Sequence, residues 1–383
     1  MEFMVLNKNY DGIAMIDTFT SAIWTVRYDE AGDFEIYTPV RLDYIQVMQI
    51  GNYLWNRDSD RLMVIETVEI ETDSEEGPQL IITGRSLESI LDRRIVTSSQ
   101  NFSGNLQSVL FAIIQNEVIS SDETRQIPGF SLKANSDSRI TSISISELSI
   151  RGENVYDVVC SLCQANKVGW RILPKGTGGF EFELYVGTDR SYAQSVNPYV
   201  TFSPSFENLL NSNYIKSFKS YKNSIYAVGT YQKEVILQNK YKDDNGEWVV
   251  EEQTTYEEAE VVTWQYSETA TPSGLARREM FIDNGGVNDG EQGGEYATWN
   301  AVNKEKAIAE LGEHQTTTAF EGELEATRQY IYGEDFNIGD IVQVENEFGI
   351  TGTVYISEIV FSQDANGITI TPTFTSTEDE TIG

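Results

Sequence analysis

Two stretches near opposite ends of the chain resemble each other, and this duplication constrains the fold more than any other feature. The first begins at Gly32 in GDFEIYTP, passes through Ile50-Gly51-Asn52-Tyr53-Leu54 and closes with VEIETDSEEGPQLIITG. The second begins at Gly322 in GELEATRQY, passes through Ile338-Gly339-Asp340-Ile341-Val342 and closes with SEIVFSQDANGITITPTF. Anchors Gly32/Gly322, Gly51/Gly339 and Ile82/Ile370 lie 290, 288 and 288 residues apart. Both copies share a strand, a Gly-containing approach to a further strand, and a hairpin with a polar turn. Chance likeness between short alternating patterns is the alternative. A true repeat implies two small β-barrels or sandwiches of one type, and an even number of barrels suits a ring of higher pseudo-symmetry than its chain count.

Strand patterns dominate between and around these blocks. Ala22–Tyr28 and Gly32–Tyr37 flank the turn Asp29-Glu30-Ala31, and Arg61–Glu71 pairs with Gln79–Thr83 across 73–78. Ser86–Leu91 reads as a short amphipathic turn. Leu106, Val109, Leu110, Ile113 and Ile114 predict a helix within Gly104–Ile119. Alternation over Ile140–Ile150 predicts one half-buried strand. Asn154–Ala165 reads as a helix with Asn154 as N-cap, followed by strands Gly169–Leu173 and Phe180–Val186. Tyr214–Phe218 with Ile225–Gly229, and Glu234–Tyr241 with Trp248–Glu252 across Asp243-Asp244-Asn245-Gly246, read as two hairpins. Asp283–Glu295 reads as a mobile acidic loop and Ala301–Glu313 as a helix. The fold class is mainly β with a few helices, an α+β multidomain chain. Its expected parts are a first barrel over 1–97, a helix-bearing α/β domain over 98–198, and a second barrel split between 199–232 and 315–375. An inserted domain over 233–314 and an acidic tail over 376–383 complete it.

Chemistry is mostly excluded by composition. The 383 residues hold 27 Lys+Arg against 60 Asp+Glu, a formal net charge of -33, which opposes any grip on phosphates. The acid is uneven. Segment 1–97 has 8 basic and 18 acidic residues, 98–198 has 8 and 10, 199–314 has 10 and 19, and 315–383 has 13 acidic residues against Arg328 alone. No apolar run reaches the ~18–20 residues of a membrane span, and Met1–Asn9 lacks the pattern of a signal peptide, so a soluble chain made in a cytoplasm is expected.

Cys160 and Cys163 are the two cysteines. They form a CxxC inside a helix rather than at its start, where the dipole would activate a thiol, so they read as structural. The single histidine, His314, removes two-His zinc motifs and reads as a loop or helix-end residue. No register of Asp283–Glu295 fits a calcium loop, there is no phosphate-binding glycine loop, and with 60 acidic residues no carboxylate pair is singled out. The basic clusters are limited to Arg93-Arg94, Arg277-Arg278 and Lys216/Lys219/Lys222. No catalytic, cofactor-binding or metal residue is assigned, no cofactor is expected, and an enzyme is not expected.

Longer stretches carry a family likeness. RYDEAGDFEIYTP (27–39), VIETVEIETDSEEGPQLIITGRSLESILDRRIV (64–96), GENVYDVVCSLCQANKVGWRI (152–172), NPYVTFSPSFENLLNSNY (197–214) and YGEDFNIGDIVQV (332–344) together resemble the siphophage tail-hub, or tail-associated, proteins of phages of Gram-positive hosts. That resemblance implies a homotrimeric hub at the tail tip or baseplate, similar in fold to the hubs of contractile tails and type VI spikes. In it, six barrels from three chains form a torus that caps the tail tube and opens for DNA ejection. It implies the distal tail protein or tube end, and other tail-tip or receptor-binding proteins, as partners. DNA would pass through without specific binding, and no membrane span is involved. The resemblance places the protein in the virion, after assembly in the host cytoplasm. Relatives often carry a C-terminal hydrolase or fibre; a chain ending in Thr373-Phe374-Thr375-Ser376 and a short tail reads as the short form.

Under the hub reading, part of the acid in 1–97 and 315–383 faces the lumen, where it repels a phosphate backbone; solvation of the outer surface is the alternative. Competing readings are a hub of a bacterial injection machine, a saccharide-binding module using Trp24, Trp55 or Trp248, and a glycosidase.

Overall fold

The computed structural model describes residues 1–73, 77–98, 100–120, 122–242, 245–267, 269–287, 293–314, 317–324, 330–349 and 351–376. The chain is mainly β. Its largest sheet runs in the order 209–217, 317–324, 367–376, 351–364, 21–27, 33–39, 77–86, 62–73, 53–56, 3–6, 12–16. Strand Ile341–Glu345 branches from Thr351–Asp364 and carries Thr201–Phe202 on its far side.

Both repeat copies therefore share one continuous sheet. The expectation of two separate closed barrels is corrected: among the described residues neither half closes on itself, because Thr351–Asp364 of the second copy pairs with Ser21–Arg27 of the first. One core underlies both, with Trp24, Phe34 and Ile36 packed in the same cluster as Val342, Ile356, Phe361 and Phe374. Alternation explains it, since each strand sends every second side chain to this face.

The α/β region is built on Leu106–Ile114, Val155–Ala165 and the sheet Gly169–Lys175, Gly179–Tyr185, Phe130–Lys133. Asn105 and Asn154 cap the two helices by accepting from the amides of Ser108 and Tyr156. The core here also takes Leu62, Val64, Leu87 and Ile90 from the first 97 residues. The strand expected over Ile140–Ile150 begins only at Ser144. Asp137 accepts from the Arg139 amide and starts a short helix at Ser138–Thr141 instead.

In the second half one expected hairpin is corrected, and the other, Glu234–Tyr241 with Trp248–Glu252, forms but is longer than expected. Leu209–Ser217 pairs with Thr317–Leu324, not with Ile225–Gly229. Ser224–Lys242 instead forms a hairpin with Trp248–Tyr266, each strand 19 residues long, with Glu279–Gly286 alongside its base. One continuous strand thus crosses residue 232, and no break falls there. The loop expected from Asp283 is in part strand, because Asp283 pairs with Val228; 288–292 lie outside the described residues, as do Asp243, Asp244, Arg328 and 377–383. Helix Tyr296–Glu313 packs Trp299, Val302, Ala307 and Leu311 against the hairpin base. Its buried Asn303 donates to the carbonyl of Ala227 at 3.1 Å.

Candidate interaction surface and the joint between the repeat copies

The duplication is geometric as well as sequential. Gly51 and Gly339 both have φ of 84°. Each donates its amide at 2.8 Å to the following long strand, to Ile65 O and Ile356 O respectively. Those isoleucines donate back to Asn52 O at 2.9 Å and Asp340 O at 3.0 Å. One residue later both strands bulge, between Ile65 and Thr67 and between Ile356 and Thr373's partner Glu358. Strand 62–73 thus corresponds to 351–364 with an offset of 291. In the hairpins the offset is 290, because Thr83 faces Thr67 as Thr373 faces Glu358. The alignment of Ile82 with Ile370 is therefore corrected by two residues, and that of Gly32 with Gly322 by four, since Glu35 faces Thr83 as Glu321 faces Thr373.

The copies meet along an antiparallel joint running from Glu358 opposite Arg27 to Gln363 opposite Ala22. Arg27 locks its end. Its Nε donates to Glu358 Oε2 at 2.7 Å, and its Nη1 to Asp33 Oδ2 at 2.7 Å and Ala31 O at 2.9 Å. Next to it, Tyr28 donates its amide to Ser357 O at 2.9 Å and accepts at its carbonyl from the Trp170 amide at 3.2 Å. The Tyr28 ring is buried against Tyr185 and Tyr355, with centroids 5.3 and 5.7 Å away. Burial, reinforced by Tyr185, pushes its hydroxyl far above the usual phenol range. Gly169 and Gly339 make room for this ring: a Cβ on either would lie 2.3 or 2.2 Å from Tyr28 Cε2. One tyrosine thus ties both copies to the α/β region.

Charged side chains brace the same junction. Arg61, 2% exposed, lies with its Nε 3.6 Å from Glu88 Oε1 and donates through Nη2 to the Tyr185 hydroxyl at 2.8 Å. Arg171 spans Asp60 and Glu183 at 2.7 and 2.6 Å. Arg190 holds Asp340 at 2.8 Å. Sequence reading missed all of these, because pairs set 12 to 150 residues apart leave no local signal.

The sheet face turned away from the core is acidic in the first copy. Val68 packs on the core, so Glu69 and Glu71 project to the opposite face, as does Glu35 beside core-facing Phe34 and Ile36. Tyr37 lies among them; a hydrogen bond with Glu35 chiefly raises its pKa, helped by the charges of Glu71 and Glu69.

The remaining sequence candidates do not assemble into a reactive site. Cys160 and Cys163 are buried in the helix, and burial pushes the Cys160 thiol up to about 12 and that of Cys163 well above its ordinary value. His314 follows the last helix, its Nε2 3.4 Å from Glu310 Oε1. Trp24 is wholly buried, Trp55 is half-exposed, and Trp248 sits near the hairpin end beneath Lys242 at 5.3 Å, so the three share no groove. Arg94 donates to Arg125 O, Arg278 to Phe218 O and Lys222 to Glu279 O, each cation thus engaged locally. Among the described residues no cluster of His, Cys, Asp and Glu is arranged to hold a metal ion, and no helix is long and apolar enough to cross a membrane.

The hairpin expected over Glu234–Tyr241 and Trp248–Glu252 forms, and it runs well beyond that expectation, over Ser224–Lys242 and Trp248–Tyr266. Beyond Tyr231 its first strand is exposed or half-exposed throughout. At ~3.3 Å per residue its 19 residues span about 60 Å. The outer part exposes Ile236, Leu237, Tyr241, Trp248 and Val250.

Comparison with known proteins agrees with this architecture. The sequence pattern of the family described as Siphovirus ReqiPepy6 Gp37-like protein matches residues 2–374. No curated protein matches significantly. Among solved structures, the fold is similar to the 43 kDa tail protein of prophage MuSo2 from Shewanella oneidensis, at 14% identity and a TM-score of 0.54, covering 98% of each chain. It is also similar to the tail protein from Neisseria meningitidis MC58, at 13% identity and a TM-score of 0.53, covering 98% of this chain and 97% of that one. A fold shared end to end with phage tail proteins, and a family match over nearly its whole length, make this chain a member of the Siphovirus ReqiPepy6 Gp37-like family, a phage tail protein of the siphovirus type.

Proposed function

We propose that this tail protein is the hub at the tip of a siphovirus tail, a homotrimer that caps the tail tube and forms part of the DNA-ejection channel. The observation that carries the reading is the duplicated β unit held in one sheet by the joint between Arg27 and Glu358. Three chains then offer six equivalent units to a sixfold tube, so the distal tail protein or tube end is the expected partner on one side. Other tail-tip or receptor-binding proteins are the expected partners on the other. The face bearing Glu35, Glu69 and Glu71 is assigned to the lumen, where like charge keeps a phosphate backbone sliding rather than sticking. The role is structural, without catalysis. Such a protein works in the virion after assembly in the host cytoplasm.

Negative-stain electron microscopy of the purified protein, with its mass by light scattering, tests this. A ring or dome of three chains is the expected result. A stable assembly of any other symmetry, or lumen walls without excess acid at higher resolution, would overturn it.

A further inference from the structure

The joint inside the chain has an unused counterpart at the chain's two open edges. Strand Ser21–Arg27 of the first copy corresponds to Leu209–Ser217 of the second: Trp24 faces Phe34 as Tyr214 faces Phe320, and Phe34 faces Gly84 as Phe320 faces Phe374. Strand 351–364 of the second copy corresponds to 62–73 of the first, as their shared bulge shows. Within one chain, the first copy's 21–27 pairs with the second copy's 351–364. The complementary combination, the second copy's 209–217 with the first copy's 62–73, is not made. Among the described residues both strands are open for it. Leu209–Ser217 ends the sheet, and Leu62–Asp73 is paired on its second side only at Leu62–Val64, by Tyr53–Trp55. Among the described residues, Thr67–Thr72 has no strand on that side, and Thr67, Glu69, Ile70, Glu71 and Thr72 are exposed, as are Ile215 and Lys216.

We infer that these two edges pair between neighbouring copies of this chain, head to tail, in the register of the internal joint. Transferring that register sets Thr67 of one copy opposite Ser217 of the next, Glu69 opposite Ile215, and Thr72 opposite Ser212. The equivalences that fix it are Glu358 with Thr67 and Arg27 with Ser217. Such contact is heterologous, so it grows until rotation closes it. Because the internal and external joints are alike, each step between units repeats one rotation. The inference rests on the hub reading only for closure at three chains.

Engineered disulfides test it. Opposed residues on antiparallel strands have Cβ atoms about 4.5–5.5 Å apart, close enough to link with small adjustment. Adjacent positions alternate between narrow and wide pairs, so two double variants are made on the full chain: Glu69→Cys with Ile215→Cys, and Val68→Cys with Lys216→Cys. Glu71→Cys with Ser217→Cys, displaced by four residues or about 13 Å, is the control. Native Cys160 and Cys163 are buried and do not compete. After mild oxidation, at least one in-register pair yields covalent multimers in denaturing gels while the control does not. Chains carrying only Glu69→Cys link to chains carrying only Ile215→Cys, and neither variant links to itself. Links from the displaced control, self-linking of a single variant, or no links at high concentration overturn the joint. Native mass spectrometry separates the two proposals. Trimers without in-register links refute the joint and leave the hub; in-register ladders longer than three support the joint and refute trimeric closure.

Discussion

Replacing Gly339 by alanine tests whether Tyr28 is the bolt between the repeat copies. The two glycines Gly51 and Gly339 share φ of 84° and the same hydrogen bond to the following strand, so an alanine at either incurs the same left-handed strain, about 1–2 kcal/mol. Their surroundings differ. At Gly51 the nearest atom to an added Cβ is Lys8 Cε at 3.9 Å, the end of a flexible side chain. At Gly339 it is Tyr28 Cε2 at 2.2 Å, on a ring buried at 2% exposure. Overpacking of that kind adds about 1–3 kcal/mol. Gly51→Ala should therefore cost about 1–2 kcal/mol and Gly339→Ala about 2–5 kcal/mol. Denaturant midpoints measure the totals, and hydrogen exchange at the Ile356 amide, bonded to Asp340 O, localises the loss to the joint. A Tyr28→Ala background removes the clash, so there the two alanine substitutions should cost the same. Equal costs in the wild-type background would refute the reasoning.

Further outcomes follow from the same geometry. Burial, with Glu30 adding to it, raises Asp29 to about 6; since its unfolded value is about 3.9, this group's contribution is complete below pH 4 and is lost as pH rises through 6. Asp29→Asn should thus remove that dependence and raise stability at pH 7 by up to about 3 kcal/mol, at 1.36 kcal/mol per pH unit, as measured by denaturation across pH 4–7. Arg61→Ala leaves Glu88, 1% exposed, as a buried charge without its cation; a loss of about 3–5 kcal/mol is expected, and Arg61→Ala with Glu88→Gln should recover part of it. Replacing 233–257 by an Asn-Gly turn between Gln232 and Glu258, which face each other, should leave the thermal midpoint of the rest unchanged, because the removed strands bury little. A fall of several degrees would show that the arm packs on the body.

Local signals in the sequence carried the elements well where capping and alternation decide the matter. Asn154 announces its helix by a side-chain cap, and the Gly51 and Gly339 turns are legible because their φ demands glycine. Pairing partners were less legible. Tyr214–Phe218 and Ile225–Gly229 are near in sequence and alternate alike, yet the first pairs with a strand a hundred residues away. Nothing in periodicity distinguishes a near partner from a distant one. The repeat offset slipped by two residues in the hairpin for a related reason. The bulges at Glu66 and Ser357 add a residue to one strand but not its partner, and hydrophobic alternation cannot see where that happens. Arg61 and Glu88 read as surface residues by type, and only the junction of three parts of the chain encloses them.

The divergence of the two copies follows from what covers each edge. In the second copy, Val360 and Ser362 occupy the positions of Glu69 and Glu71, and they are half-buried beside Thr25 and Ile23 of the same chain. That edge is covered as the chain folds, so it needs no protection. The first copy's edge is bare along Thr67–Thr72 among the described residues, and a bare strand edge is a template for wrong pairing. Glu69 and Glu71 keep two such edges from meeting each other, because like charges placed across strands repel. They do not oppose the head-to-tail register, where Glu69 faces Ile215 and Glu71 faces Asn213, both uncharged. Acid at Glu69 and Glu71 on the unpaired edge of one copy, where the covered edge of the other carries Val360 and Ser362 and neutralises its Glu358 with Arg27, is therefore the pattern expected of a chain whose like edges must stay apart while unlike edges join.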